Sequence, residues 1–390
     1  MLLSPFFYPH IGGSQRYMEE LYSHLLRAHR RVSTDVVAYN TDNAPARETY
    51  RGMTIYRIPC WNILPGQFVL PYPVPLVKLL WTLAKNRYDI VHTHIRFFDA
   101  TWWAWIYAKI IKARCIFTEH VASHPVHPDT RVQAIAKLVD ATLASWFIGF
   151  YDLVTATNRA AREFLKYTYR ITKPVSVLYG GVDTAFFSPK KSRIRTVPRI
   201  PKRFTSGDIV ITYTGRLIWS KGIAHLYNAI SGLLPTVPSR VYFVFVGGGP
   251  LENNLRKEIA KDRLGKRVFV TGSLDSRGVR QALQTTDIFV HPSHHNEGFP
   301  NVILEAGASG CFVIATDNAG VREVVVHKKT GYLIAQKSEK EIRESIRWAL
   351  THPQKRRKIV ASMRRLMVSK FDWNLLANKY YAVLLRLMRT

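Results

Sequence analysis

Hydrophobic positions in this chain fall into short runs separated by amphipathic stretches, and the alternation holds almost from end to end. In the first half, residues 32–39, 54–59, 90–93, 114–118, 153–156 and 175–178 form apolar runs of strand length. Helical spacing lies between them, as where Tyr17, Leu21 and Leu25 recur every fourth position. Continuous apolar strands alternating with helices predict a parallel sheet buried on both faces. The rhythm restarts at residues 209–214, 241–246, 268–271, 288–291 and 312–315. The stretch between, residues 188–207, is rich in Pro, Lys and Arg, lacks acidic residues and reads as a linker. A length of 390 residues suits two cores better than one. The predicted class is α/β, with two doubly wound domains facing across a cleft: residues 1–183, a basic linker over 184–207, and residues 208–365. Residues 1–4 are hardly long enough for a central strand and read as a truncated or misassigned start.

Ligands of doubly wound sheets bind beyond the carboxyl ends of the strands, which directs attention to the residues there. Pro9-His10-Ile11-Gly12-Gly13-Ser14 precedes the first helix; its glycines read as a tight turn or as a close backbone approach to a phosphate at a helix end. Gly215-Arg216-Leu217-Ile218-Trp219-Ser220-Lys221-Gly222 sets a planar guanidinium and a mobile ammonium after a strand, either a pair suited to a departing diphosphate or two surface cations of a very basic protein. Gly247-Gly248-Gly249 is either a turn or a second close approach. His92, His94 and His120 sit at strand ends, where an isolated histidine is more often a structural hydrogen bonder than a catalyst.

The most informative segment is Glu297-Gly298-Phe299-Pro300-Asn301-Val302-Ile303-Leu304-Glu305. Pro300 suits the opening of a helix, so Glu297 belongs to the loop before it and Glu305 lies more than a turn inside. Between them is a helix N-terminus whose unpaired N–H groups favour an anion. Two carboxylates seeking hydroxyls on either side of a phosphate-seeking helix end outline a sugar nucleotide.

Composition narrows the setting. Cys60, Cys115 and Cys311 have no CxxC spacing, which excludes a disulfide scaffold or structural zinc site and fits a reducing, cytoplasmic compartment; Cys115 and Cys311 read as core residues. No secretory signal pattern is visible, and the longest apolar runs are broken by Asp99, Lys109, Lys112, Lys137 and Asp140 before they reach bilayer length. No HxxEH, HExxH or DxD cluster occurs, so no protein-held metal and no cofactor are expected. The formal net charge of +29 calls for an anionic partner or is simply a solvated basic surface. Residues 74–87 mix leucines, Trp81 and cations, the make-up of either an interfacial amphipathic helix or a helix packed on the sheet. The tail adds Lys355, Arg356, Arg357, Lys358, Arg364 and Arg365, a further surface for acidic lipid.

Together these motifs resemble glycosyltransferase family 4, the group 1 retaining enzymes of GT-B fold, nearly from end to end. The E-x7-E segment is the most specific, and Gly215-Arg216 with Lys221-Gly222, Gly247-Gly248-Gly249-Pro250-Leu251, Asp287 to Ser293, Thr316 to Glu323 and Gly331-Tyr332-Leu333 follow in the family's order. The resemblance implies two Rossmann-like domains, the first for an acceptor and the second for a nucleotide-sugar donor, with residues 366–390 a helix returning to the first. It implies that Arg216 and Lys221 hold the donor diphosphate, Glu297 the transferred sugar and Glu305 the ribose. Gly12 and Gly13 would approach the diphosphate, His120 would sit near the reaction centre, and Gly215, Gly248, Phe299, Pro300, Asn301 and Val302 would line the donor. One departure is Gly180-Gly181-Val182-Asp183, where the family has Asn before the second glycine. The expected activity is metal-independent sugar transfer with retention to an unknown acceptor, lipid-linked or a glycan precursor, at the inner face of a membrane. Two competing readings are a nucleotide-sugar epimerase of the same fold and a basic nucleic-acid-binding protein; no nucleic-acid-reading motif supports the latter.

Overall fold

A computed structural model of the chain describes residues 1–10, 12–64, 68–124, 130–140, 142, 145–190, 194–294 and 299–389. Its first strands and helices are β1 (Leu2–Leu3), α1 (Gly13–Ala28), β2 (Asp35–Tyr39), β3 (Arg47–Tyr50), β4 (Met53–Ile58), β5 (Cys60–Leu64), β6 (Phe68–Pro71), α2 (Pro73–Leu83), β7 (Ile90–His94), α3 (Ala100–Ile110), β8 (Arg114–Glu119), α4 (Thr130–Val139), α5 (Ser145–Ile148), β9 (Leu153–Ala156), α6 (Arg159–Thr168) and β10 (Val175–Val177). There follow β11 (Arg195–Thr196), β12 (Arg203–Phe204), β13 (Ile209–Thr214), α7 (Ile223–Leu233), β14 (Val241–Val246), α8 (Glu252–Lys261), β15 (Val268–Val270), α9 (Ser276–Thr285), β16 (Ile288–His291), α10 (Asn301–Ala308), β17 (Phe312–Thr316), α11 (Ala319–Arg322), β18 (Tyr332–Ile334), α12 (Glu339–Thr351), α13 (Pro353–Lys370) and α14 (Trp373–Arg389). The chain divides into a first unit, Met1–Gly181 with Trp373–Thr390, and a second, Val182–Asp372.

The first unit is built on a sheet of order β10-β9-β8-β7-β1-β2-β4-β3, parallel except for β3. The strand that looked too short is central. Leu2 pairs with Val36 on one side and His92 on the other, so two residues are held by ladders from both neighbours. Leu2 and Leu3 are wholly buried, as a strand covered on both faces requires. Edge strand β3 and the β5–β6 hairpin escaped the apolar pattern because their residues are polar or exposed: Arg47 and Glu48 lie on the edge, and Trp61 and Ile63 face outward. The predicted strand at residues 32–39 begins only at Asp35.

The second unit has an all-parallel sheet of order β15-β14-β13-β16-β17-β18. The stretch read as a linker is folded into it. β11 and β12 form a small antiparallel pair, and Val197 and Phe204 are buried among Val210, Val244 and Ala282. Arg195 donates to the carbonyls of Thr285, Thr205 and Asp208 and pairs with Asp287 at 3.0 Å. A segment without acids therefore looks unattached in sequence while its cations find partners far along the chain. The division between units falls at Gly181, and the tail is two helices rather than one: α13 belongs to the second unit and α14 to the first, parted at Phe371 and Asp372. Phe371 is fully buried and Asp372 accepts hydrogen bonds from the Thr184 N–H and hydroxyl.

Among the parallel strands of each unit the order reverses between β1 and β7 in the first and between β13 and β16 in the second. The carboxyl ends flanking those gaps are where such sheets offer a ligand crevice.

Candidate active site

In the second unit the crevice is made by three loops that are joined backbone to backbone. The Gly215 N–H donates to the Val246 carbonyl at 3.0 Å, Leu217 to Gly248 at 2.9 Å, and Leu251 back to Leu217 at 3.0 Å. Gly247, at φ 145°, is required by this contact: a Cβ there would stand 1.9 Å from the Gly215 carbonyl oxygen. Gly222, at φ 70°, ends the short 3-10 turn Trp219–Lys221 and would place a Cβ 2.2 Å from the Pro292 carbonyl oxygen. The turn carrying Lys221 is tied to the β16 loop through the Ser220 carbonyl, which accepts from the His294 N–H at 3.2 Å and the Ser293 hydroxyl at 3.3 Å. The fold thus brings Arg216, exposed, and Lys221, half-buried, beside the loop that leads into the Glu297 segment.

Glu297 and Gly298 lie outside the described residues. Beyond them Phe299 is half-buried with its ring 5.6 Å from that of Phe371, and Pro300 is the cap residue of α10, one position earlier than a first helical residue. Asn301 and Val302 form the first turn, half-buried, and no side chain caps its N–H groups. Glu305 is buried at 4% exposure, one turn inside. The N-terminal end of α10 follows β16 as the motif predicted. At the carboxyl ends of β13 and β17, the hydroxyls of Thr214 and Thr316 are buried without a hydrogen-bond partner among the described residues, as is the Asn318 amide nitrogen just after β17. Asn318 spends its carbonyl oxygen on capping α11. Unpaired buried polar groups at a crevice are what a polyhydroxy ligand would satisfy.

The first unit holds the second set. Gly12 caps α1 and Gly13 opens it, with no side chain capping the helix; Ile11 lies outside the described residues. A Cβ on Gly13 would meet nothing within 4 Å, so no contact among the described residues explains that glycine. His120, after β8, is packed edge-on by the Tyr17 ring at 4.9 Å, and its Nε2 lies 2.9 Å from His94 Nδ1. Burial pushes the His120 imidazolium down to about 3 and holds His92 and His94 well below the ordinary range, so all three are neutral near pH 7.

Sequence reading missed the groups that hold His120 in place. Glu119 accepts from the backbone N–H of His120 at 2.8 Å and of Val121 at 3.0 Å through one oxygen, and pairs with Arg96 at 2.6 Å through the other. Arg96, wholly buried, also pairs with Asp140 at 2.8 Å and lies over the rings of Phe97 and Phe164. His92 accepts or donates to Tyr22 and Tyr380 at Nδ1 and to Thr118 at Nε2, so α14 reaches the histidine cluster through Tyr380. The available signal was His92-Thr93-His94 at alternate positions of one strand, which sends both imidazoles to the same face. Among the described residues, no three His, Cys, Asp or Glu gather as a metal-holding group.

The family model described as glycosyl transferases group 1 matches residues 197–365, and that described as glycosyltransferase family 4 matches residues 11–186. The chain is 24% identical over its whole length to an uncharacterized glycosyltransferase of Methanocaldococcus jannaschii, covering 98% of that protein. It is 25% identical, over 95% of its length and 79% of the relative's, to the GPI3 subunit of phosphatidylinositol N-acetylglucosaminyltransferase from Saccharomyces cerevisiae. The crystal structure of Anabaena HepE in complex with UDP superposes with a TM-score of 0.72 at 18% identity, covering 98% of both chains.

Proposed function

The chain belongs to the group 1 glycosyltransferases and has their GT-B fold, and from that premise we propose that its donor is a uridine diphosphate sugar and its acceptor is carried on a lipid. Transfer proceeds with retention at the anomeric carbon and needs no protein-held metal ion. What supports the donor reading is the crevice between β13 and β16, where the turn carrying Lys221 is tied through the Ser220 carbonyl to the loop after β16. UDP in the similar HepE structure supports the base, and the phosphatidylinositol-modifying relative supports the lipid.

The bond from the anomeric carbon to the diphosphate oxygen breaks, and the acceptor hydroxyl forms its new bond on the same face. Its proton passes to the leaving phosphate, so UDP departs. Negative charge grows on that diphosphate in an oxocarbenium-like transition state. Arg216, Lys221 and the α10 N–H groups meet this charge, while Glu297 and Glu305 hold the hydroxyls of the sugar and ribose. The carboxylates are clamps in this reading rather than a general acid and base.

Thermal-shift titration with UDP-, GDP- and ADP-sugars tests the donor, because a bound ligand raises the melting temperature by mass action. Stabilisation by the UDP compounds alone is expected; stabilisation by none would end the reading. Lys221→Ala is expected to lower turnover roughly a hundredfold or more with an unchanged melting temperature, as for loss of a charge-stabilising donor. Near-normal turnover would remove Lys221 from its role. NMR of the product's anomeric configuration tests retention, and activity in excess EDTA tests metal independence.

A further inference from the structure

Helices α2 and α3 leave a groove of ≈ 430 Å³ between them, lined by Val77, Leu80 and Trp81 on one wall and Trp103, Ile106 and Ile110 on the other. Each helix also has a properly buried face: Leu76, Leu80 and Leu83 of α2 and Ala104, Tyr107 and Ala108 of α3 lie in the core. The groove shares Leu80 and Tyr107 with those core faces and carries apolar surface outward from them onto Val77, Trp81, Ile106 and Ile110. Trp81 is 76% exposed, Ile110 67% and Val77 52%, an arrangement that costs solvation unless something covers it. The patch continues onto α5, where Phe147 stacks on Trp102 at 5.4 Å and meets Trp105 edge-on. Trp146, 62% exposed, extends the patch beside Phe150 at 4.8 Å.

The rim of this patch decides what covers it. Lys78, Lys85, Lys109 and Lys112 are all exposed on the two helices or just after them. Residues 72–88 and 100–118 contain no Asp or Glu, so the cations are not neutralised along their own segments. Protein interfaces deplete lysine and favour arginine, whereas tryptophan over aliphatic side chains with a lysine fringe is the make-up of surfaces that lie in a bilayer interface. Among the described residues no helix is long and apolar enough to cross a membrane, so the patch is a surface element and not a span.

We infer that the α2–α3 groove with the α5 aromatics is the face by which this chain rests on an anionic phospholipid bilayer, its apolar side chains entering the interface and its lysines meeting acidic headgroups. The inference deepens the lipid-linked acceptor proposed above by naming a surface for it, but rests on geometry separate from the donor crevice. The purified chain is floated with phosphatidylglycerol-containing and with pure phosphatidylcholine vesicles, and UDP binding is measured on the same samples. Binding is expected with the acidic vesicles only, with quenching of tryptophan emission by brominated lipid. The double variant W81E/I110E is expected to abolish binding, and K78E/K85E/K109E to weaken it by roughly a hundredfold at low salt. Val368→Glu, at an exposed apolar site in the second unit, is expected to leave it unchanged. All variants are expected to keep wild-type melting temperature and UDP affinity. Equal partitioning to both vesicle types, or unaltered binding by W81E/I110E, overturns the inference. So does a concentration-dependent dimer that W81E/I110E abolishes, which makes a second copy the occupant. Loss of UDP affinity in the wild type strikes the donor reading alone.

Discussion

His120 takes its chemical character from its neighbours. The neutral pair His94–His120 shares one proton across 2.9 Å, and His94 Nε2 is buried without a partner among the described residues. Were His120 the donor, His94 would carry its proton on that orphaned nitrogen, and a buried N–H without an acceptor is the rarer and costlier state. Hydrogen-bond accounting therefore assigns the proton to His94 Nδ1, which donates to His120 Nε2 and leaves His120 with an N–H at Nδ1. Under the proposed reading His120 offers a donor to substrate oxygen rather than a base. His94→Phe is expected to lower kcat about tenfold while leaving UDP affinity unchanged, and the wild-type rate profile is expected to lack a histidine limb near pH 6.5. A limb at that pH would mean that burial does not hold His120 neutral. Glu119 acts one step further back. Glu119→Gln keeps the shape but leaves Asp140 as the carboxylate facing Arg96 among the described residues, beside its neutral acceptors at Tyr169 and Ser123, and a urea melt is expected to show a loss of about 3 kcal/mol, the lower range for breaking a buried ion pair. Neither dependence was visible in sequence, because Arg96, Glu119 and Asp140 acquire their meaning from burial together and carry no spacing signature.

At the scale of elements, what was legible followed burial. β13 and β14 run Ile209–Thr214 and Val241–Val246 as read from the apolar pattern, since strands covered on both faces must be apolar throughout. β1, with two residues, and β3, with an exposed arginine, gave no such run. The loops after strands were legible as positions, but their glycines were ambiguous between turn and ligand approach. Structure separates them. Gly247 is accounted for by the Gly215 carbonyl, so Gly247→Ala is expected to destabilise the second unit by about 1–3 kcal/mol, visible as a lowered melting temperature even without ligand. Gly13 is accounted for by no contact among the described residues, and Ala suits a first helical position. Gly13→Ala is expected to leave the melting temperature within about 1 °C of wild type, or to raise it, while weakening UDP-sugar affinity about tenfold or more. A destabilised Gly13→Ala with intact affinity would reassign that glycine to the fold.

For the whole molecule, the two units carry opposite preparations for acid. The first buries His92, His94 and His120 as neutral imidazoles, all pushed below their ordinary range. The unfolded chain takes protons on these groups as pH falls through about 6.5, and the folded unit refuses them until about pH 3 in the case of His120. Their contribution is complete above pH 6.5 and is lost progressively below it. Asp99 opposes them: burial raises its carboxyl to about 6, so its contribution is present at low pH and fades as pH rises from about 4 through 6. Three imidazoles against two carboxyls, Asp99 and Glu19, the latter also raised by burial, still leave a net loss on acidification, at about 1.4 kcal/mol per pH unit for each net proton. In the second unit, Asp208 is held below the usual carboxylate range by hydrogen bonds from the Thr205 N–H and hydroxyl, and Asp317 by Arg322. Stability from those carboxylates persists until pH falls below about 4, a lower window than that of the histidines. Hydrogen exchange read unit by unit is therefore expected to show protection of the first unit falling between pH 6.5 and 4.5 while the second holds. A second unit that loosens first, or equal loss in both, would mean that the buried histidine cluster does not govern the acid response.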